Sequence, residues 1–230
     1  MNAVPLFFFP DLKSSSGIVE LGEDIRKHAF SVLRMNPGEQ LMLTNGKGCA
    51  ATATITTANK KQFSVQLHEC IDHLAPAKKM ILGISLLKNT ARFEWMLEKV
   101  TEIGITEIYP LLCERTERQH FRKDRFEQII NSACLQSQQF HFPILQEPIK
   151  IEELFKQDLP TQRFIAHCME GEKKQLCSVA NDAILLVGPE GDFTSEELAL
   201  SITHGFQPVG LGESRLRTET AGIVGAVMMR

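Results

Sequence analysis

The sequence lacks the signatures of several common protein classes. No stretch reaches the roughly 18 uninterrupted apolar residues that a membrane-spanning helix needs. The start, Met1 to Leu6, has no basic segment, and Phe7-Phe8-Phe9 runs straight into Pro10 and Asp11. That is not the pattern of a secretory signal, and a cytoplasmic protein is expected. The six cysteines, at 49, 70, 113, 134, 168 and 177, contain no CxxC pair, so neither a zinc ribbon nor a thioredoxin-type site is indicated. They read as reduced thiols. There is no HExxH among the seven histidines, and no metal site is expected. No GxxxxGK[ST] phosphate loop occurs, and no GxGxxG follows an early strand, which disfavours a nucleotide-dependent dehydrogenase. The chain also lacks an excess of positive charge. Its net charge of -3 excludes a broadly basic nucleic-acid coat, though not a local basic patch.

The chain has 230 residues, 43% of them hydrophobic, enough for a substantial core. The first 70 or so residues read as β-rich. Gln40 to Thr44, Cys49 to Thr57 and Gln62 to Cys70 are strand candidates. In the last, Phe63, Val65 and Leu67 alternate with polar residues at the period of a half-buried strand. Asn45-Gly46-Lys47-Gly48 and Ala58-Asn59-Lys60-Lys61 are the hairpin tips between them. One helix is expected over about Glu23 to Leu33.

The polar, proline-containing stretch Asp72 to Lys79 is the expected domain boundary, giving domains 1–72 and 79–230. Beyond it strands alternate with helices. Met80 to Leu87, Glu107 to Leu112, Arg163 to Cys168, Ala183 to Val187 and Gln207 to Leu211 are strand candidates. Arg92 to Ile103, Lys123 to Gln136, Thr194 to His204 and Thr218 to Met229 are helix candidates. Thr194 with Glu197 forms a capping box, and Thr218 is a candidate cap for the last helix. The alternation predicts an α/β domain with a mainly parallel sheet.

Two loops concentrate the chemistry. Gly188-Pro189-Glu190-Gly191-Asp192 follows an apolar strand and precedes a capped helix. Taken alone it reads most readily as an ordinary strand-to-helix turn. It also stands where open α/β sheets bind ligands, beyond the carboxyl end of a strand. Glu190 and Asp192 would repel a phosphate. The second loop, Leu211 to Ala221, places Arg215 and Arg217 near a helix N-terminus, where the dipole disfavours cations. Either a ligand or partner explains them, or they point into solvent.

The order GPEGDFTSEEL, then LGESRLRTETAGIVGA, closely resembles the RsmE family of SPOUT-class methyltransferases. The resemblance covers the whole chain. His28, Val32-Leu33-Arg34 and Asn45-Gly46-Lys47-Gly48 are similar to the family's PUA-like RNA-binding barrel. Lys88, Glu98-Lys99, Glu102, Gly104, Pro110, Glu114-Arg115, Ala133 and Gln136-Ser137 also match. The departures are Asp192 where a second glycine is usual, Arg215 in place of isoleucine, Gln139 in place of an arginine, and Pro5-Leu6-Phe7 where an N-terminal arginine is common.

The resemblance implies a C-terminal SPOUT domain with a deep trefoil knot, preceded by a small PUA-like β-barrel. It implies S-adenosyl-L-methionine as cofactor and N3 of a uridine in 16S ribosomal RNA of the small subunit as acceptor. A homodimer without membrane association is implied, and the apolar face Ile223, Val224, Val227 and Met228 is a candidate interface or intrachain core. The cofactor residues carried over are His167, Val187, Gly188, Pro189, Glu190, Gly191, Leu211, Gly212, Leu216, Arg217 and Thr220. Arg217 is the candidate stabiliser of the uridine anion, and Glu219 a candidate base or structural carboxylate. RNA contacts are expected from His28, Arg34, Arg115, Arg118 and Arg122. Residues 1–75 hold seven basic and seven acidic residues, so RNA affinity must come from patches, the densest running from Arg115 to Arg125. The alternatives are a non-catalytic RNA-binding assembly factor on the same fold, or methylation of another RNA atom.

Overall fold

The computed structural model describes residues 4–13, 17–117 and 120–230. They divide into two compact units, Met1–Ala75 with Cys134–Phe142, and Pro76–Ala133 with Pro143–Arg230. The return of Cys134–Phe142 to the first unit is a feature that the contiguous ranges 1–72 and 79–230 leave out.

The first unit is a five-stranded sheet. β1 (Leu6–Phe8), β2 (Gly17–Glu20), β3 (Gln40–Thr44), β4 (Cys49–Ala58) and β5 (Phe63–Asp72) are ordered β1-β3-β4-β5-β2, with β1 and β3 parallel and the other pairs antiparallel. Both hairpin tips are asparagine turns. Asn45 Oδ1 accepts the Lys47 and Cys49 N–H groups at 2.8 and 3.2 Å, and Asn59 Oδ1 accepts those of Lys61 and Gln62 at 2.8 and 2.9 Å. Such side chains replace a backbone turn. Phe63, Val65 and Leu67 point into a core shared with Leu41, Leu43, Ala29 and Phe7. β1 and β2 were not expected, since three- and four-residue strands carry too little periodicity to read.

The helix expected over Glu23 to Leu33 is α-helical only as α1 (Glu23–Arg26) and continues as a π-helical turn, Lys27–Val32. The widening shows in the Leu33 N–H bond to the His28 carbonyl, a five-residue step. The turn ends at Arg34 with φ 56°.

The second unit carries an eight-stranded sheet. Its strands are β6 (Met80–Ser85), β7 (Glu107–Leu112), β8 (Ile144–Leu145), β9 (Ile149–Lys150), β10 (Gln162–Ala166), β11 (Lys174–Gln175), β12 (Ala183–Val187) and β13 (Gln207–Gly210). The order is β11-β13-β10-β12-β6-β7-β8, with β9 also on β7, and every pair is parallel. β6 and β12 are buried along their whole length, as continuous apolar strands in a parallel sheet should be.

The helices are α2 (Thr90–Ile103), α3 (Lys123–Gln136), the short α4 (Ile151–Leu154), α5 (Ser195–Thr203) and α6 (Thr218–Met229). Asn89 caps α2 by accepting from Ala91 and Arg92 N–H, and the capping box of Thr194 and Glu197 opens α5. The expected Thr218 cap is not made. Arg217 occupies the cap position without a side-chain bond, and Thr218 is already the first helical residue, buried.

α6 packs against α2, β6 and β12. It comes close because two glycines face the sheet. A Cβ on Gly222 would stand 2.7 Å from Ile84 Cδ1, and one on Gly225 would collide with Leu185 Cδ2. The far end is anchored by Lys78, whose Nζ donates to the carbonyls of Met229 at 3.1 Å and Arg230 at 3.0 Å. A cation there suits the helix dipole. Among the described residues no helix is long and apolar enough to cross a membrane. Replacing Gly225 with valine should cost about 2–3 kcal/mol by overpacking. Urea denaturation should show a lower midpoint at unchanged slope.

Candidate functional site

Three neighbouring strands end at one level. Ala166 of β10 is in register with Val187 of β12 on one side and with Val209 of β13 on the other. Their carboxyl ends therefore release three loops side by side, the position at which parallel sheets bind ligands. Between these loops and the start of α6 lies a cavity of about 710 Å³.

Most of the cofactor residues expected from sequence line it: His167, Val187, Gly188, Pro189, Glu190, Leu211, Gly212, Leu216 and Arg217. Glu219 lines it too. Gly191 and Thr220 do not. Gly191 turns toward Arg115, whose Cδ would lie 3.3 Å from a Cβ there, and Thr220 is half-buried elsewhere on α6. Gly188 is hemmed in by Phe193, with 3.0 Å between a Cβ position and Cδ2, so a side chain there would press on the Phe193 ring.

The cavity adds residues that sequence reasoning did not assign to it: Arg92, Cys168, Lys173 and Asp192. Asp192 was read as part of the Gly188–Asp192 loop and as a departure from the family pattern but not as a cavity residue. Arg92 comes from the first turn of α2, far away in sequence, and no local pattern marks it. Glu219 is 5% exposed in the first turn of α6, with Arg92 Nε 3.6 Å from its Oε1. An acid is favoured there by the helix dipole as well as by the guanidinium. Arg215 and Arg217 are exposed at the cavity, and Leu211 and Leu216 are half-buried apolar surface within it.

His167 is distinctive. Both ring nitrogens are buried without a hydrogen-bond partner, while its carbonyl accepts the Lys173 ammonium at 2.9 Å. Burial lowers its pKa from the ordinary 6.5, Lys173 lowers it further, and Asp192 opposes both.

The residues expected to touch RNA are dispersed. Arg115 donates to the carbonyls of Gly191 at 2.8 Å and Phe193 at 3.4 Å. Arg122 and Arg125 both pair with Glu94, at 3.4 and 3.2 Å, and Lys123 pairs with Glu147 at 2.6 Å. The dense basic stretch is thus largely engaged within the chain. Arg118 lies outside the described residues. In the first unit His28 and Arg34 are exposed, His28 standing edge-on to Phe7 with centroids 5.6 Å apart. Among the described residues no group of three His, Cys, Asp or Glu side chains is placed to hold a metal ion.

A family model described as an RNA methyltransferase domain matches residues 75–230, and one described as an RNA methyltransferase PUA domain matches residues 21–67. The chain belongs to the RsmE family of RNA methyltransferases. A solved structure, a probable rRNA-methyltransferase from Porphyromonas gingivalis, is 37% identical with a TM-score of 0.89, covering 97% of this chain and 95% of that one. A ribosomal RNA small subunit methyltransferase E from Neisseria gonorrhoeae, solved bound to S-adenosyl methionine, is 29% identical with a TM-score of 0.85 and the same coverage. The curated ribosomal RNA small subunit methyltransferase E of Rickettsia conorii is 28% identical over 221 residues, 92% of this chain and 89% of that protein.

The electrostatics of His167 give a test. Between its lowered pKa and the ordinary value of 6.5, the unfolded chain holds more proton at this site than the folded one. His167 therefore takes stability away as pH falls through that interval. In an NMR titration its ring should stay neutral to a pH below the ordinary 6.5, and a His167→Gln variant should lose less stability on acidification than the parent.

Proposed function

We propose that this enzyme transfers a methyl group from S-adenosyl-L-methionine to N3 of a uridine in 16S ribosomal RNA, acting in the cytoplasm on the small ribosomal subunit. The observation that carries the reading is the convergence of the GPEG loop, the LRTETA loop and the His167 loop on one cavity at the carboxyl ends of β10, β12 and β13.

The cavity suits the cofactor. Its volume of about 710 Å³ falls in the ordinary range for small-molecule sites. Leu211 and Leu216 supply apolar walls for an adenine, and backbone groups of the loop from Gly188 to Glu190 and of Leu211-Gly212 supply its polar partners. The two unpartnered nitrogens of His167 are further groups for a ligand to satisfy, since buried polar atoms are costly when left alone. When bound, the cofactor supplies an electrophilic methyl on a sulfonium, and no metal is needed to activate it.

The acceptor sets the harder requirement. Uridine N3 carries a proton at neutral pH, and its nucleophilic form is an anion spread over O2, N3 and O4. Arg217 leaves the chain at the extended cap position of α6 with its side chain at the cavity. It is the group that stabilises this developing charge. Glu219, held by Arg92, supplies a fixed acceptor beside it. His28 and Arg34 of the PUA-like unit are the RNA contacts that this reading favours. Arg115 and Arg122 already have partners within the chain.

Two further features complete the reading. β13 pairs on the far side of β10 from β12, yet the chain returns as α6 over β6 and β12. That path supports a trefoil knot. From Ala221 onward α6 is apolar all round: Ala221, Gly222, Gly225, Ala226 and Met229 are buried, while Val227 on the other side is 55% exposed, beside the half-buried Ile223, Val224 and Met228. A helix apolar on every side calls for cover on every side. A second copy of the chain is the proposed cover. Val227→Glu should shift the mass measured by light scattering from dimer to monomer. An unshifted dimer would place the interface elsewhere.

The reaction is tested with labelled S-adenosylmethionine and small subunits lacking the native uridine-N3 methylation. Nucleoside analysis should show 3-methyluridine. At saturating cofactor, Arg217→Ala should lose about 100-fold or more in turnover, the usual scale for one preorganised charge-stabilising donor. Full turnover by that variant would remove Arg217 from the mechanism.

A further inference from the structure

We infer that Asp192 is a positioning residue that staples two of the cavity loops together and thereby sets the affinity for S-adenosylmethionine. The inference rests on the cofactor reading above and deepens it.

The backbone at Asp192 is left-handed, φ 64°, a conformation disfavoured for residues bearing a Cβ and natural for glycine. An aspartate held there has to gain something through its side chain. Its two carboxylate oxygens take backbone N–H groups from two different loops. Oδ2 accepts Cys168 N–H at 2.8 Å, from the loop after β10, and Oδ1 accepts Phe193 N–H at 2.9 Å, within its own loop. Its own N–H closes the Pro189–Asp192 turn on the Pro189 carbonyl at 2.9 Å. From the other side Arg115 grips the carbonyls of Gly191 and Phe193. Gly191, Asp192 and Phe193 are thus tied to the loop after β7 and to the loop after β10 at once.

The consequence is geometric. His167 and Cys168 form one wall of the cavity, and Gly188 to Glu190 form another. The Asp192–Cys168 bond crosses between them and fixes their separation before any ligand arrives. A loop already in its bound arrangement spares the ligand the cost of ordering it. The bond is also charge-assisted, the stronger class of hydrogen bond.

A purely structural role predicts something different. Asp192→Gly removes the staple but also relieves the left-handed backbone, so folding stability should change little. The affinity should fall all the same. Asp192→Asn tolerates the left-handed backbone and keeps one oxygen acceptor, enough for the Cys168 N–H, but removes the charge and the second acceptor.

The experiment uses the full chain, with calorimetry of S-adenosylmethionine binding, methyl-transfer kinetics and amide hydrogen exchange on the ligand-free protein. Asp192→Gly should weaken binding about tenfold, the scale of one charge-assisted hydrogen bond. The loss should appear in KM for the cofactor, with kcat at saturation within about twofold. The Cys168 amide should exchange faster in that variant, while its melting temperature stays near the parent's. Asp192→Asn should keep most of the affinity.

Three results would overturn the inference. One is an unchanged Cys168 amide in Asp192→Gly, showing that no staple exists. Another is unchanged affinity despite a freed amide. The third is an Asp192→Asn variant as weak as Asp192→Gly although its Cys168 amide stays protected, which would assign the effect to charge on the sulfonium. Wild-type binding separates this failure from that of the cofactor reading. No binding by the wild type brings down both, whereas normal wild-type binding with any of the three results brings down the staple alone.

Discussion

The site depends on how closely α6 lies against β6 and β12. Gly222 and Gly225 stand one turn apart on the face toward the sheet, where larger residues would meet Ile84 and Leu185. Glycine inside a helix costs about 1 kcal/mol relative to alanine. Here that cost is offset by packing that only a bare backbone allows. With the helix packed this close, Arg217 and Glu219 at its start fall at the cavity. Lys78 holds the opposite end through the carbonyls of Met229 and Arg230. The depth of one helix thus decides where two candidate catalytic groups stand.

The parallel register supplies the other half of the geometry. Three strands that end together release three loops that have to coexist in a small space, and the loop after β12 is tied to the loops after β7 and β10. Arg115 and Asp192 hold the loop after β12. Glu197 closes the capping box of α5 and also accepts the Glu114 N–H at 2.8 Å. The charges lining the cavity are mixed: Arg92, Lys173, Arg215 and Arg217 against Glu190, Asp192, Glu213 and Glu219. A surface of one sign would favour either a cationic sulfonium or a polyanionic RNA. A mixed surface accommodates both, provided the charges are held apart by rigid loops. That requirement explains why so many bonds in this region join loop to loop.

The long periodic elements were legible in the sequence because their signals are local. β3, β7, β12, α3 and α6 occupy the expected residues, and the cofactor loops were marked by their own motifs. What was not legible depends on pairing across the chain. β1 and β2 are strands only because β3 and β5 accept them. The first turn of α6 reads as though Thr218 should cap it, yet packing makes Thr218 helical and buries it. The π-helical turn after Arg26 leaves no mark in a 3.6-residue pattern.

The basic stretch from Arg115 to Arg125 shows the limit most clearly. In sequence it is the densest cluster of positive charge, and phosphate contact is the natural reading. In the fold Glu94 takes both Arg122 and Arg125, Glu147 takes Lys123, and Arg115 reaches backbone carbonyls 76 and 78 residues further along. Exposed ion pairs of this kind contribute little stability, about 0–1 kcal/mol each. They still lower the net potential that an approaching phosphate would meet. Arg115 differs from its neighbours because its partners are fixed carbonyl dipoles of the cavity loop rather than a mobile carboxylate. A composition count records all these cations alike, and only the tertiary partners separate an arginine that shapes a cavity from one that balances an acid.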